Sequence, residues 1–177
     1  PILSGYDEAD ARVARLLKRA GYLEQHQTYC VALAQSINPV EMESPGRAQR
    51  IVNAISTTIA ATPIRMLAGV RGNLVTVVLS DARRHSGWTA RQTKLAERAR
   101  DALLTLGTAV LVGVSEDHPS TAFLARALQE ATIALDFASV DKRVVRFSDL
   151  PVRDLLLHRG GDYVRAAQPA WIAALGE

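Results

Sequence analysis

Apolar positions along the chain fall into alternating blocks of helical and strand-like spacing. Over residues 7–20, Ala9, Val13, Leu16, Leu17 and Ala20 form one helical stripe, and Gly21 ends it. The run TYCVALAQSI at 28–37 is apolar almost without a break and is bounded by Gln27 and by Asn38-Pro39, which predicts a strand buried on both faces. Ser44 and Pro45 then read as the cap and first residue of a helix that carries Ala48, Ile51, Val52, Ile55 and Ile59 up to Pro63. Two strand-like runs within 64–80 flank Arg71-Gly72-Asn73 and predict a hairpin, because a short loop holding Gly and Asn suits the tight turn. Thr89 and Gln92 make a capping-box pattern ahead of a helix whose buried stripe is Leu95, Ala99, Leu103 and Leu106, with Gly107 as its stop. A strand at 108–115 follows, then a helix opened by Pro119-Ser120-Thr121 with Leu124, Ala127, Leu128, Ala131 and Leu135 on one side. RVVRF supplies a last short strand, and Asp149 with Pro151 fits the start of a helix through VRDLLLH that stops at Gly160-Gly161. Asp162 caps a final helix whose stripe includes Ala167, Trp171, Ile172 and Leu175.

The resulting order of helix, strand, helix, hairpin, helix, strand, helix, strand predicts an α/β fold, an α+β sandwich of ferredoxin-like or nucleotide-cyclase-like class. In such a fold helices cover a mostly antiparallel sheet. One domain is expected over 1–177, with a core of about 22–157 and flanking helices at 7–20 and 162–175.

Composition narrows the function classes. The chain has 177 residues, 48% of them hydrophobic, which is enough for one buried core. No apolar run approaches the roughly 18 residues of a membrane span, and no signal-peptide pattern opens the chain, so a cytoplasmic protein is expected. Cys30 is the only cysteine and lies in the apolar TYCVALA, where it reads as a small core residue. His26, His85, His118 and His158 lack metal-ligand spacing, so no metal and no cofactor is expected. A net charge of +3 with a pI near 9.4 is compatible with work near nucleic acid without requiring it. The chain opens on Pro1 and closes on the helical PAWIAALGE, the pattern of a piece of a longer protein.

Arg83, Arg84, His85, Arg91, Lys94, Arg98 and Arg100 gather after the hairpin, with residues 91, 94 and 98 on one predicted helical face. Arg83, Arg84, Arg91, Lys94 and Arg98 form a candidate patch for DNA phosphates or an acidic partner. The interleaved Glu97 and Asp101 are what an ordinary solvated face also carries. TARQTKLAERARDALL echoes the opening of a helix-turn-helix unit but lacks the turn. Ser56, Thr57 and Thr58 have no base at motif spacing and are assigned no chemistry. Trp88 and Trp171 each combine large apolar area with one donor, which serves a protein contact or the core equally.

Gly160-Gly161-Asp162 repeats the first letters of the GGDEF signature of cyclic-dinucleotide synthases, yet its setting is a helix stop followed by a helix cap. The hairpin GVRGNLVTVVLS, the strand AVLVGVS, the helix STAFLARALQEATIALDFA and the join RVVRFSDLPVRDLLL together point elsewhere. As an ordered set they resemble the GGDEF-like middle domain of the PucR/CdaR family of bacterial transcriptional regulators. The resemblance implies a domain that precedes a C-terminal helix-turn-helix, here outside the chain. In GGDEF cyclases the signature sits at the hairpin, where its glycines admit the nucleotide and an acidic residue helps hold the metal. The matching hairpin here reads Arg71-Gly72-Asn73-Leu74-Val75, with one glycine and neither acidic letter. The strand CVALAQSI contains no carboxylate, and Gln35 stands near the place expected for a metal-binding aspartate. Two-metal phosphoryl transfer needs such carboxylates to hold Mg²⁺, and the 160–162 triplet lies past the sheet, far from that strand.

These residues imply a non-catalytic regulatory and oligomerisation domain. It would act as a homodimer with Leu16, Leu17, Trp171, Ile172 and Leu175 as candidate dimer contacts, and would reach DNA through a helix-turn-helix beyond the chain. Two alternatives remain open. One is a nucleotide-binding enzyme of the cyclase-palm class, against which the missing carboxylates argue. The other is a module that senses a small-molecule effector in a pocket between helices and sheet.

Overall fold

The central strand β1 (Tyr29–Ser36) is flanked by β3 (Leu74–Asp81) and β4 (Val110–Val114), with β2 (Ile64–Arg71) and the short β5 (Val144–Arg146) at the two edges. The computed structural model describes residues 28–44, 46–81, 94–106 and 109–152. Within them the sheet is five-stranded and mixed, in the order β2-β3-β1-β4-β5. β1 pairs antiparallel with both neighbours, β2 pairs antiparallel with β3, and β4 and β5 run parallel.

The apolar run of β1 is explained by its central place. Cys30, Ala32 and Ala34 face the core formed with α1 (Arg47–Ala60) and α2 (Leu95–Leu104), while Tyr29, Val31 and Leu33 face α3 (Leu124–Asp136). Helices therefore cover both faces of this strand, and no alternation of polar and apolar residues is needed along it. The sequence expectation of an α+β sandwich with a mostly antiparallel sheet holds.

Local chemistry sets most element ends. α1 begins at Arg47, two residues beyond the predicted start, with Gly46 at the N-cap in the left-handed region (φ 80). The cause is a turn of 3₁₀ helix at Pro39–Glu43, opened by the Asn38 side chain accepting from the Val40 amide, which takes Ser44 as its own C-cap. Pro45 lies outside the described residues. Ile51, Ile55 and Ile59 are buried as their spacing predicts. The hairpin closes through Gly72 and Asn73, with Arg71 opposite Leu74. Gly72 has φ 58 while Asn73 stays at negative φ, the pattern of a type II′ turn, whose first central position favours glycine.

The stripe Leu95, Ala99, Leu103 and Leu106 is buried as predicted. The capping pair Thr89 and Gln92, and the predicted stop Gly107, lie outside the described residues. Asp117, in the loop after β4, caps α2 across space: its carboxylate accepts from the Leu95 amide at 2.9 Å and the Ala96 amide at 2.6 Å. Ser120 caps the 3₁₀ turn Thr121–Phe123 that leads into α3. On β4, Gly113 lies directly under α3, where an added methyl would collide with the Ala131 carbonyl and the Leu135 backbone. After β5 comes a 3₁₀ turn, Phe147–Asp149. The Asp149 carboxylate is held there by Arg146 and Arg100, a role different from the predicted helix cap. Of the helix expected through VRDLLLH only Val152 is described, as helical, and its remainder, the Gly160-Gly161-Asp162 triplet and the flanking helices at 7–20 and 162–175 lie outside the described residues. Among the described residues no helix is long and apolar enough to cross a membrane.

Candidate functional site

The signature hairpin and the carboxyl end of β1 meet at one end of the sheet. Ala34 is opposite Val75 on β3, while Gln35 and Ser36 are opposite Leu111 and Val110 on β4. Arg71, Gly72 and Asn73 are exposed at the turn, Leu74 is half-buried, and Val75 belongs to the core. Gln35 is half-buried beside them in sequence register. The Ser36 hydroxyl donates to Glu41 Oε2 at 3.2 Å and accepts from the Asn38 amide and from Arg47. Arg47 in turn pairs with Glu41 at 3.1 Å. The donors at this end are thus amides, a hydroxyl and a carboxylate already neutralised by a guanidinium. Divalent magnesium prefers carboxylate oxygens, and this set does not fit a pair of such ions. Among the described residues no group of His, Cys, Asp and Glu is placed to hold a metal.

The basic cluster is divided between partners. Arg83, Arg84 and Arg91 lie outside the described residues. Lys94 sits before α2 in the left-handed region (φ 52) and pairs with Glu97 at 3.3 Å. Arg98 turns inward to Asp81 at 2.6 Å, where the aspartate side chain is buried. The candidate contact residues Leu16, Leu17, Trp171, Ile172 and Leu175 also lie outside the described residues.

The opposite end of the sheet carries polar chemistry that local patterns did not reveal. Glu130 on α3 is only 4% exposed and accepts from Arg126 Nε at 2.9 Å and the Glu116 amide at 3.1 Å, with His118 Nε2 at 2.8 Å. Burial alone would push its carboxyl up, but these partners outweigh burial and hold it below the ordinary glutamate range. His118 exchanges two backbone hydrogen bonds with Tyr29, each of 2.8 Å, and stacks on Phe123. Cys30 is fully buried nearby, and burial raises its thiol well above the usual value, as suits an inert core residue. Beside this layer a cavity of about 250 Å³ opens between α2 and the ends of β4 and β5, lined by Lys94, Glu97, Glu116, Asp117, Arg146 and Ser148. Spacing offers no signal for it, because its walls come from three separate segments.

The sheet order, the helices on both faces and the signature hairpin beside the end of β1 define an α+β sandwich of nucleotide-cyclase-like class. The chain belongs to the GGDEF-like domain family, whose profile matches residues 4–137. No match is found among curated proteins. Among solved structures the chain is similar to the regulator of polyketide synthase expression from Bifidobacterium adolescentis, with a TM-score of 0.53 and 17% identity over 93% of this chain. That likeness is one of fold, and the chain spans 58% of that regulator's length. An EAL/GGDEF domain protein from M. capsulatus aligns over 80% of this chain and 99% of its own, at TM-score 0.43 and 14% identity.

Proposed function

We propose that the chain is the non-catalytic regulatory module of a bacterial transcription regulator of PucR/CdaR type. It is cytoplasmic, acts as a homodimer and reaches DNA through a helix-turn-helix outside this chain. The observation that carries the non-catalytic part is the donor set at the end of β1. Where a cyclase needs carboxylates on strand and hairpin, this chain has Gln35, Ser36, Arg71 and Asn73, and Glu41 is already paired with Arg47. Two ions that neutralise a triphosphate and bring its oxygens together have no ligands there. The regulatory part is supported by the ordered resemblance of hairpin, strand, helix and join, and by family membership. It also fits a fold shared with a regulator of expression. Dimerisation places two recognition helices on successive half-sites of a palindromic operator, with Leu16, Leu17, Trp171, Ile172 and Leu175 as the proposed contacts.

Calorimetric titration of the chain with GTP, with and without Mg²⁺, tests the non-catalytic part. The expected result is no Mg²⁺-dependent binding and no turnover. Micromolar affinity that requires Mg²⁺ would instead establish the cyclase-palm reading.

A further inference from the structure

From the geometry at the far end of the sheet we infer that the cavity between α2 and the ends of β4 and β5 binds a small zwitterion of the amino-acid class. Its occupancy is transmitted through Arg146 to the point where the chain leaves the sheet. The transmission step rests on the regulatory reading; the binding step does not.

The location is the first argument. β4 and β5 form the parallel pair, and in open sheets ligands settle outside the carboxyl ends of parallel strands, where the connecting chains diverge. Here Glu116 and Asp117 follow β4, Arg146 ends β5, Ser148 follows it, and the first turn of α2 closes the wall. The hairpin lies at the other end of the sheet, since β4 reaches the start of β1 through the Ala32–Val114 register and the Tyr29–His118 bridge. The volume of about 250 Å³ lies just below the roughly 300–1,000 Å³ of pockets for drug-sized ligands, so the occupant is small.

The charges select its class. Both Asp117 oxygens are engaged by the amides of α2. The Glu116 amide is used by Glu130, while its carboxylate makes no hydrogen bond or ion pair with another described residue. That leaves one carboxylate open toward a cation. Lys94 has a side chain 68% exposed and, among the described residues, pairs with its neighbour Glu97, while Arg146 pairs with Asp149, three residues on. A ligand ammonium fits Glu116, and a ligand carboxylate fits Lys94 and Arg146. A dicarboxylate would set like charge against Glu116 and Asp117, and a simple amine would leave both cations without a new partner.

Arg146 also belongs to a clamp. Its Nε and Nη2 donate to Asp149 Oδ1 at 3.2 and 2.6 Å, while Arg100 of α2 donates to Oδ2 at 3.0 Å. A ligand carboxylate at Arg146 competes with Asp149 and loosens the turn Phe147–Asp149, from which the chain passes Leu150 toward the segment that carries the proposed DNA-binding unit. The resemblance-bearing join RVVRFSD is thus also the hinge of the device.

The test is a calorimetric panel of the protein amino acids against the chain. For each ligand found, the matching amine without the carboxylate and the matching acid without the amine are titrated as well. At least one amino acid is expected to bind with a Kd of about 1 mM or tighter, and neither half should do so. Glu116→Gln should weaken binding by about tenfold or more at unchanged Tm, because among the described residues the native carboxylate holds no hydrogen bond or ion pair. Failure of every amino acid, or equal affinity in Glu116→Gln, overturns the site. Hydrogen exchange tests transmission: amides of Phe147 to Leu150 should exchange faster when the ligand saturates, and unchanged exchange with binding established overturns that step. DNA takes no part in these measurements, so a failed panel leaves the regulator reading standing. A bound amino acid in a protein that never binds DNA would sink the regulator reading alone.

Discussion

Glu130 is the clearest case of a charged side chain whose role depends on its surroundings. Placed on the buried side of α3 at 4% exposure, it is stable as an anion only because Arg126, His118 and the Glu116 amide converge on it. A buried polar group that loses its partners costs about 1–3 kcal/mol. Its carboxyl titrates below the ordinary range despite the opposing effect of burial. A group depressed in the folded state contributes stability above its unfolded pKa, about 4.3 for glutamate. That contribution disappears as pH falls through the lower folded value. Thermal melts from neutral to acid pH should therefore show the native chain losing Tm below this point more steeply than Glu130→Gln, which should be less stable by about 1–3 kcal/mol at neutral pH. Parallel acid limbs for the two proteins would show that Glu130 gives no such contribution. The sequence did not reveal this residue, because its partners Glu116 and His118 come from a loop that meets the helix only in the fold.

Elements whose signal is local were the ones the sequence disclosed. β1 was recognisable because a strand covered on both faces needs an unbroken apolar run, and α2 because Leu95, Ala99 and Leu103 repeat at helical spacing. The hairpin followed from Gly72, which supplies the positive φ of its turn. What the pattern missed depends on contacts between elements. The 3₁₀ turn at Pro39–Glu43 shifts the start of α1, and Asp117 caps α2 from 22 residues away in sequence. Gly113 shows the same limit: nothing in VLVGV marks it, yet it lets α3 rest on the β4 backbone. Gly113→Ala should therefore separate helix from strand and lower stability by about 1–3 kcal/mol or more, measured by urea unfolding. A variant as stable as the native chain would mean that α3 stands further from β4 than described. The candidate site was half legible for the same reason. The loss of acidic letters at Arg71-Gly72-Asn73 and the absence of a carboxylate on β1 are matters of identity at known positions. The cavity beside Arg146 is assembled from segments that meet only in the fold.

At the scale of the whole molecule, the sheet has a hairpin free of carboxylates at one end and a charged cavity at the other, an arrangement compatible with the proposed regulatory module. Both arginines of α2 are paired with carboxylates, Arg98 with Asp81 and Arg100 with Asp101 and Asp149, so α2 itself does not offer an open basic surface through them. Phosphate contacts from such a protein are expected to be weak and to fall steeply with salt, because they depend on counterion release and read no sequence. Base readout needs the helix-turn-helix proposed beyond this chain. The most direct measurement is a DNA footprint near the protein's own gene, comparing the product of the full gene with residues 1–177 at physiological salt. The expected result is protection of a palindromic site by the full product and none by residues 1–177. A salt-resistant footprint from residues 1–177 alone, or no protected site with the full product, would contradict the assignment.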